Sequence, residues 1–243
     1  GKSSLCNALF QGEVTPVSDV HAGTREVRRF RLSGHGHSMV ITDLPGVGES
    51  RDRDAEYEAL YRDILPELDL VLWLIKADDR ALSVDEYFWR HILHRGHQRV
   101  LFVVTQADKT EPCHEWDMAG IKPSPAQAQN IREKTEALFR LFRPVHPVVA
   151  VSARTGWELD TLVSALMTAL PDHAASPLMT RLQDGLRTES VRSQAREQFT
   201  GAVDRIFDTA ESVCVASVVR TALRAVRDTV VSVARAVWNW IFF

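Results

Sequence analysis

The sequence predicts a doubly wound, mostly parallel α/β sheet followed by an α-helical carboxy-terminal region. Three observations carry this. Leu68 to Ile75 and Val100 to Val104 are almost unbroken apolar runs, the pattern of strands covered on both faces. Helical patterns alternate with the strands, the order that builds a parallel sheet. The polar residues that look functional stand just after strands, at the sheet edge where such folds bind ligands.

Taken in order, a helix follows Gly1-Lys2-Ser3-Ser4 through Phe10. Residues 11–24 are polar, contain Pro16 and Gly23, and read as a loop ending at Thr24. Residues 26–32 and 38–43 form a β-hairpin around Gly34-His35-Gly36, and Pro45-Gly46 ends its second strand. A helix runs from about Asp54 to Leu65 and stops near Pro66. Another covers Ser83 to His94, with Ser83 and Glu86 spaced as a capping box. Residues 109–124 are a longer loop, and Pro125 opens a helix to about Phe142. Pro147 to Val151 is the last strand, and a helix from about Glu158 to Leu170 closes the block at Pro171. This gives one domain over 1–171 and a helical region over 172–243.

Composition narrows the classes. At 243 residues the chain buries a sizeable core, and a net charge of -3 with pI near 6.3 argues against general nucleic-acid binding. Cys6, Cys113 and Cys214 are far apart and in no metal-ligand pair, which fits a reducing cytoplasmic compartment. The sequence shows no signal peptide and no uncharged apolar run of about 18 residues. His35 and His37 read as exposed turn residues, as does Cys113-His114. Arg28, Arg29 and Arg31 read as a basic patch on an edge strand, which either touches RNA or solubilises the edge.

Gly1-Lys2-Ser3, opening a helix, is the second half of a phosphate-binding loop. Backbone N–H groups and the helix dipole hold the anion, Lys2 reaches the β- and γ-phosphates, and the Ser3 hydroxyl ligates Mg²⁺. The first half would need a Gly five residues before Gly1, on the end of a buried strand. A chain opening there without Met is read as part of a longer product. In the phosphate-loop folds that this motif resembles, that strand lies between the one ending at Asp43 and the one ending near Ile75, so two unpaired edges and weakened phosphate binding are expected. Four signals then stand in order, Gly1-Lys2-Ser3, Thr24, Asp43-Leu44-Pro45-Gly46 and Thr105-Gln106-Ala107-Asp108, with Ser152-Ala153 a fifth. Each alone has an ordinary alternative as a turn former or cap. Their order makes the combined signal.

Over about 1–171 that order resembles the GTPase domain of the translation-factor class, in its Era-like branch, and is most similar to the YfjP/YeeP type of bacterial GTP-binding protein. The resemblance implies a P-loop GTPase fold lacking its first strand, with GTP and Mg²⁺ as ligands. It implies that Gly1, Lys2, Ser3 and Ser4 hold phosphates. It assigns Thr24 to the Mg²⁺ shell and γ-phosphate, Asp43 to the second shell of Mg²⁺, and the Gly46 amide to the γ-phosphate, so that Ser3, Thr24 and Asp43 are the metal-associated residues. Thr105, Gln106 and Asp108 form the base motif, Asp108 accepting from guanine, and Ala153, beside Ser152, donates its N–H to the guanine carbonyl. Two features depart from the family pattern. Thr105 and Gln106 replace Asn and Lys, so Gln106 brings no charge over the base. Val47 stands where Ras-like enzymes carry a water-orienting Gln, which implies slow hydrolysis.

Past Pro177 the sequence turns to helix formers. Arg220, Arg224, Arg227 and Arg235 share one side of a helix, opposite Val219, Leu223, Val226, Val230, Val233, Val237 and Ile241, and Trp238, Trp240, Phe242 and Phe243 end it. The apolar face docks on the body or on a second copy, giving a homodimer; the alternative is a membrane surface. Two functions stay open: a slow GTP-hydrolysing switch, or a non-catalytic interaction protein that keeps the fold without turnover.

Overall fold

A computed structural model of the chain describes residues 2–11, 13–22, 25–34, 37–47, 51–93 and 99–213. Gly1, Thr24, the His35-Gly36 turn, Cys214 and the basic amphipathic tail lie outside the described residues. The strands are β1 (Glu13–Ala22), β2 (Arg25–Gly34), β3 (His37–Asp43), β4 (Val71–Lys76), β5 (Val100–Thr105) and β6 (Val149–Ala150). The helices are α1 (Lys2–Leu9), α2 (Arg51–Ile64), α3 (Ser83–Phe88), α4 (Pro125–Phe142), α5 (Leu159–Ala169), α6 (Asp172–Arg181) and α7 (Glu189–Val213).

Among the described residues the strands form two three-stranded sheets. One is antiparallel in the order β1-β2-β3 and the other parallel in the order β4-β5-β6. The hairpin of β2 and β3 pairs Arg28 with Asp43 and Phe30 with Ile41. The segment expected as a loop over 11–24 is instead strand β1. It lies at the sheet edge, the place that tolerates a proline, and its register shifts between Pro16 and Ser18. β2 is therefore the middle strand, not an edge. Successive residues of a strand face opposite ways, so Arg29 and Arg31 share one face while Arg28 lies on the other. The expected basic patch does not form, and Arg29 is paired with Glu67 at 2.7 Å.

The parallel sheet carries the core, with helices on both faces. Leu101 and Val103 of β5 pack on one side with Leu5 and Leu9 of α1, Leu162 and Leu166 of α5, Leu178 of α6 and Val191 of α7. Val100, Phe102 and Val104 face the other side, with Tyr61 of α2, Phe88 of α3, and Ile131, Leu138 and Phe142 of α4. The helices after Pro171 thus share the core of the α/β body. Hydrogen bonds tie them to the end of α1, from Gln11 N–H to the Arg181 carbonyl at 2.7 Å and from Gln183 N–H to the Leu9 carbonyl at 2.8 Å.

The helix expected over 83–94 is shorter. α3 ends at Phe88 and continues as one π-helical turn, Trp89–Leu93. Its capping box does not form. Leu82 is the N-cap, with no side-chain cap, and Glu86 is drawn into an ion pair with Arg90 one turn on. The box occurs instead on α4, where Ser124 accepts from Gln127 N–H at 3.2 Å and the Gln127 side chain accepts from Ser124 N–H at 3.1 Å.

Phe102 is fully buried, stacked on Phe142 with ring centroids 4.6 Å apart and edge-on to Trp89 at 5.2 Å. Phe102→Ala is expected to lower stability by about 3–5 kcal/mol. Urea denaturation monitored by tryptophan fluorescence checks this, and a change under about 1 kcal/mol would contradict the placement of Phe102 in the core.

Candidate functional site

Two clusters form at the carboxyl ends of the strands. The first gathers at the start of α1 and the end of β3. The Lys2 ammonium lies 2.8 Å from Asp43 Oδ1 and donates to the Leu44 carbonyl at 2.6 Å. Both side chains are about half exposed. Lys2, Ser3, Asp43 and Gly46 line one cavity of about 1390 Å³, whose walls continue along Met39 and Ile41 of β3 and Leu72 and Leu74 of β4. Ser4 is exposed and does not line the cavity. Cys6 does, and burial pushes its thiol pKa up, helped by the charge of Asp43 and opposed by that of Lys2.

The fold itself does not demand a glycine at position 46. Its φ is outside the left-handed range, and a Cβ built there meets nothing within 4 Å. The open space above its backbone is what close approach of a ligand requires. Val47, by contrast, packs against the apolar cluster that holds Tyr61 and Trp73.

The second cluster lies at the ends of β5 and β6 and does not line that cavity. Thr105 is buried and its hydroxyl donates to the Ile75 carbonyl at 3.5 Å. Gln106 turns the chain with φ 59°, and the following 3₁₀ turn, Ala107–Lys109, carries Asp108. The Asp108 side chain is only 2% exposed. The Ser152 hydroxyl donates to its Oδ1 at 2.6 Å, and Arg154 Nε donates to its Oδ2 at 2.8 Å. Ala153 stands between those two donors. The structure thus brings together Lys2, Ser3, Asp43 and Gly46 in one place, and Thr105, Gln106, Asp108, Ser152 and Ala153 in another.

Mg²⁺ prefers hard oxygen ligands and keeps waters and substrate phosphates in its shell. Ser3 and Asp43 on one cavity wall fit that donor chemistry. Among the described residues no group of three or more His, Cys, Asp and Glu could cage a metal.

Two residues of these clusters were not singled out from the sequence. Arg154 follows Ser152-Ala153 directly, and the only hint was the missing charge at Gln106. Tyr61 stands four residues from Tyr57 on α2 and belongs to no local motif. Its hydroxyl donates to the Pro45 carbonyl at 2.8 Å, next to Gly46, and its ring lies 6.1 Å from Trp73 and 5.5 Å from Phe88. The Asp-Leu-Pro-Gly turn is thereby fastened to α2 and to the face of β4.

Comparison with known proteins gives a consistent result. The family model described as 50S ribosome-binding GTPase matches residues 1–106. Escherichia coli (strain K12) YfjP is 52% identical over all of this chain and 84% of its own length. YeeP of the same strain is 95% identical over 183 residues, 75% of this chain and 78% of that protein. A probable GTP-binding protein, EngB of Gemmatimonas aurantiaca, is 32% identical over 71% of this chain and 79% of its own length. Among solved structures, Era in complex with MgGDPNP and a 16S ribosomal RNA segment aligns with TM-score 0.50 at 22% identity, over 70% of this chain and 53% of that one. That likeness is one of fold.

Burial raises the Tyr61 pKa strongly, so the phenol stays neutral in the folded chain where an unfolded one ionises. The stability it supplies is complete below the unfolded value of about 10 and is lost as pH rises beyond it. Tyr61→Phe is expected to lose about 1 kcal/mol at neutral pH, from the unpaired Pro45 carbonyl. The deficit should shrink above pH 10, because the variant has no phenol there to ionise. Urea midpoints at neutral and alkaline pH measure both, and a deficit that grows with pH would contradict the assignment.

Proposed function

Because this chain belongs to the Era-like P-loop GTPases and is a GTP-binding protein, we propose that it acts as a slow GTP-hydrolysing switch read out through the Asp-Leu-Pro-Gly turn. The observation that carries this is the 2.8 Å contact between Lys2 and Asp43, which puts the phosphate-loop lysine and the turn carboxylate at one place. In the proposal, the nucleotide's phosphates take Lys2 from Asp43, and Ser3 and Asp43 are the residues that would hold Mg²⁺, which would neutralise phosphate charge. The Gly46 N–H then faces the γ-phosphate, and Tyr61 carries movement of the turn into α2. Asp108 reads the guanine edge, with Ala153 donating to the guanine carbonyl. Packing of Val47 into the apolar cluster leaves no polar side chain at that position to orient water, which supports slow turnover.

Thr24, assigned to the Mg²⁺ shell, lies outside the described residues, as does the amphipathic tail beyond Val213. Among the described residues no helix is long and apolar enough to cross a membrane. RNA appears in the name of the Era complex, and the separated arginines of β2 give no patch on which to build an RNA proposal here.

Titration calorimetry tests the reading. Asp108→Asn should weaken GTP binding at least about tenfold, the loss of a charge-assisted bond, and shift preference toward xanthosine nucleotide, whose carbonyl can meet the new amide donor. Unchanged GTP affinity would refute the base-site assignment. Gly46→Ala should fold as stably as wild type, since its Cβ meets open space, yet lose the difference between GTP and GDP in hydrogen exchange of α2. Retention of that difference would refute the role given to the turn.

A further inference from the structure

Asp108 is a buried carboxylate that already has two donors, and only one of them is compatible with a bound base. A carboxylate oxygen has two lone pairs, so Oδ1 can keep the Ser152 hydroxyl while it accepts from a second group. Oδ2 is held by Arg154 Nε at 2.8 Å. The Arg154 side chain is 62% exposed over a carboxylate that is 2% exposed. Its guanidinium is thus the solvent-side cover of Asp108. The outer end of the guanidinium rests on exposed Met118, with Nη2 4.0 Å from the sulfur.

We propose that Arg154 is a latch on the base site, closed on Asp108 without nucleotide and displaced only by a ligand edge with two adjacent N–H donors. The inference rests on the nucleotide reading above and adds to it a residue that governs entry and selectivity. Guanine presents a ring N–H beside an exocyclic amine, so it replaces the lost bond on Oδ2 and adds one on Oδ1. Adenine presents a ring acceptor at that edge, and opening the latch for it would leave a buried carboxylate facing a lone pair. The latch therefore penalises the wrong base in addition to any attraction for the right one. Once free, the planar guanidinium is placed to lie against the purine face. That would supply the cation missing at Gln106.

Two measurements on the full chain decide it. In ¹⁵N-arginine spectra without nucleotide, one slowly exchanging Nε–H resonance should disappear in Arg154→Gln, lose protection in Asp108→Ala, and lose protection when GDP is added to wild type. In stopped-flow binding of a fluorescent GDP analogue, Arg154→Gln should associate about fivefold faster than wild type, the scale of one exposed charge-assisted bond. That ratio should fall toward one as KCl screens the pair, and discrimination against a fluorescent ADP analogue should narrow. Equal association rates, or an Arg154 Nε–H without protection in the free chain, would overturn the latch and leave the nucleotide site standing. Absence of GDP binding by wild type and by the variant, with folded spectra, would remove the nucleotide reading and the latch with it.

Discussion

The fold hangs on β5. It is the middle strand of the parallel sheet, bonded to β4 on one edge and β6 on the other, and every residue from Val100 to Thr105 is buried. Its alternate side chains are the floors of the two apolar clusters, Leu101 and Val103 for one and Val100, Phe102 and Val104 for the other. A strand so enclosed can end only where its last groups find partners. Thr105 bonds the Ile75 carbonyl, Ala77 N–H donates to the Thr105 carbonyl at 2.9 Å, and Ala107 N–H to the Val151 carbonyl at 3.1 Å. These bonds fix the turn that carries Asp108, so the position of its carboxylate is set by the core.

The second constraint is the separation of the two sheets. Among the described residues no ladder joins β3 to β4, and the cavity of about 1390 Å³ lies along their facing edges. Backbone groups in such a place must find water or another partner, since a buried unpaired amide costs about 1–3 kcal/mol. What bridges the sheets at the upper end is polar. Lys2 reaches from α1 to Asp43 and Leu44, and Tyr61 reaches from α2 to Pro45. The Asp-Leu-Pro-Gly turn is held by side-chain contacts more than by a strand ladder. The bond from Tyr61 is the stiffer restraint, because the ring behind it is packed against Trp73 and Phe88.

What the sequence shows best is what burial on both faces dictates. β4 and β5 were legible as apolar runs, α4 and α5 nearly to their ends, and the strand-end positions of Asp43, Asp108 and Ser152 followed from them. β1 was not legible, because an edge strand tolerates proline and polar residues and so carries the composition of a loop. The Ser83 box failed for a tertiary reason. Asp85 of that helix accepts from Trp73 Nε1 at 2.7 Å, which anchors α3 to β4, while Glu86 pairs with Arg90. The spacing at Ser124 and Gln127 was equally readable, and there the box forms, with Gln127 buried and also donating to the Thr110 carbonyl at 2.8 Å. Spacing gives the opportunity for a cap, and competing partners decide its use. Tyr61 and Arg154 were missed because their site contacts span 16 and 46 residues and leave no local pattern.

The self-satisfied state of both clusters has an energetic consequence for recognition. A carboxylate buried without a partner is costly, and breaking a buried pair by removing one member is typically a matter of several kcal/mol. Asp108 avoids that penalty through Ser152 and Arg154, and Asp43 lies against Lys2 at a half-exposed position where the penalty is smaller. On the proposed function, ligand binding at either cluster would be an exchange of partners, its net gain the difference between the donors a ligand brings and those it displaces. At Asp43 the displaced lysine finds new partners in the phosphates themselves, so the exchange favours any polyphosphate and selects little. At Asp108 the base would have to replace the bond that Arg154 gives up on Oδ2, and the arginine's new contact would be the purine face alone. Affinity would then come chiefly from the exposed cluster and selectivity from the buried one, a division of labour that the difference in burial between the two aspartates supports.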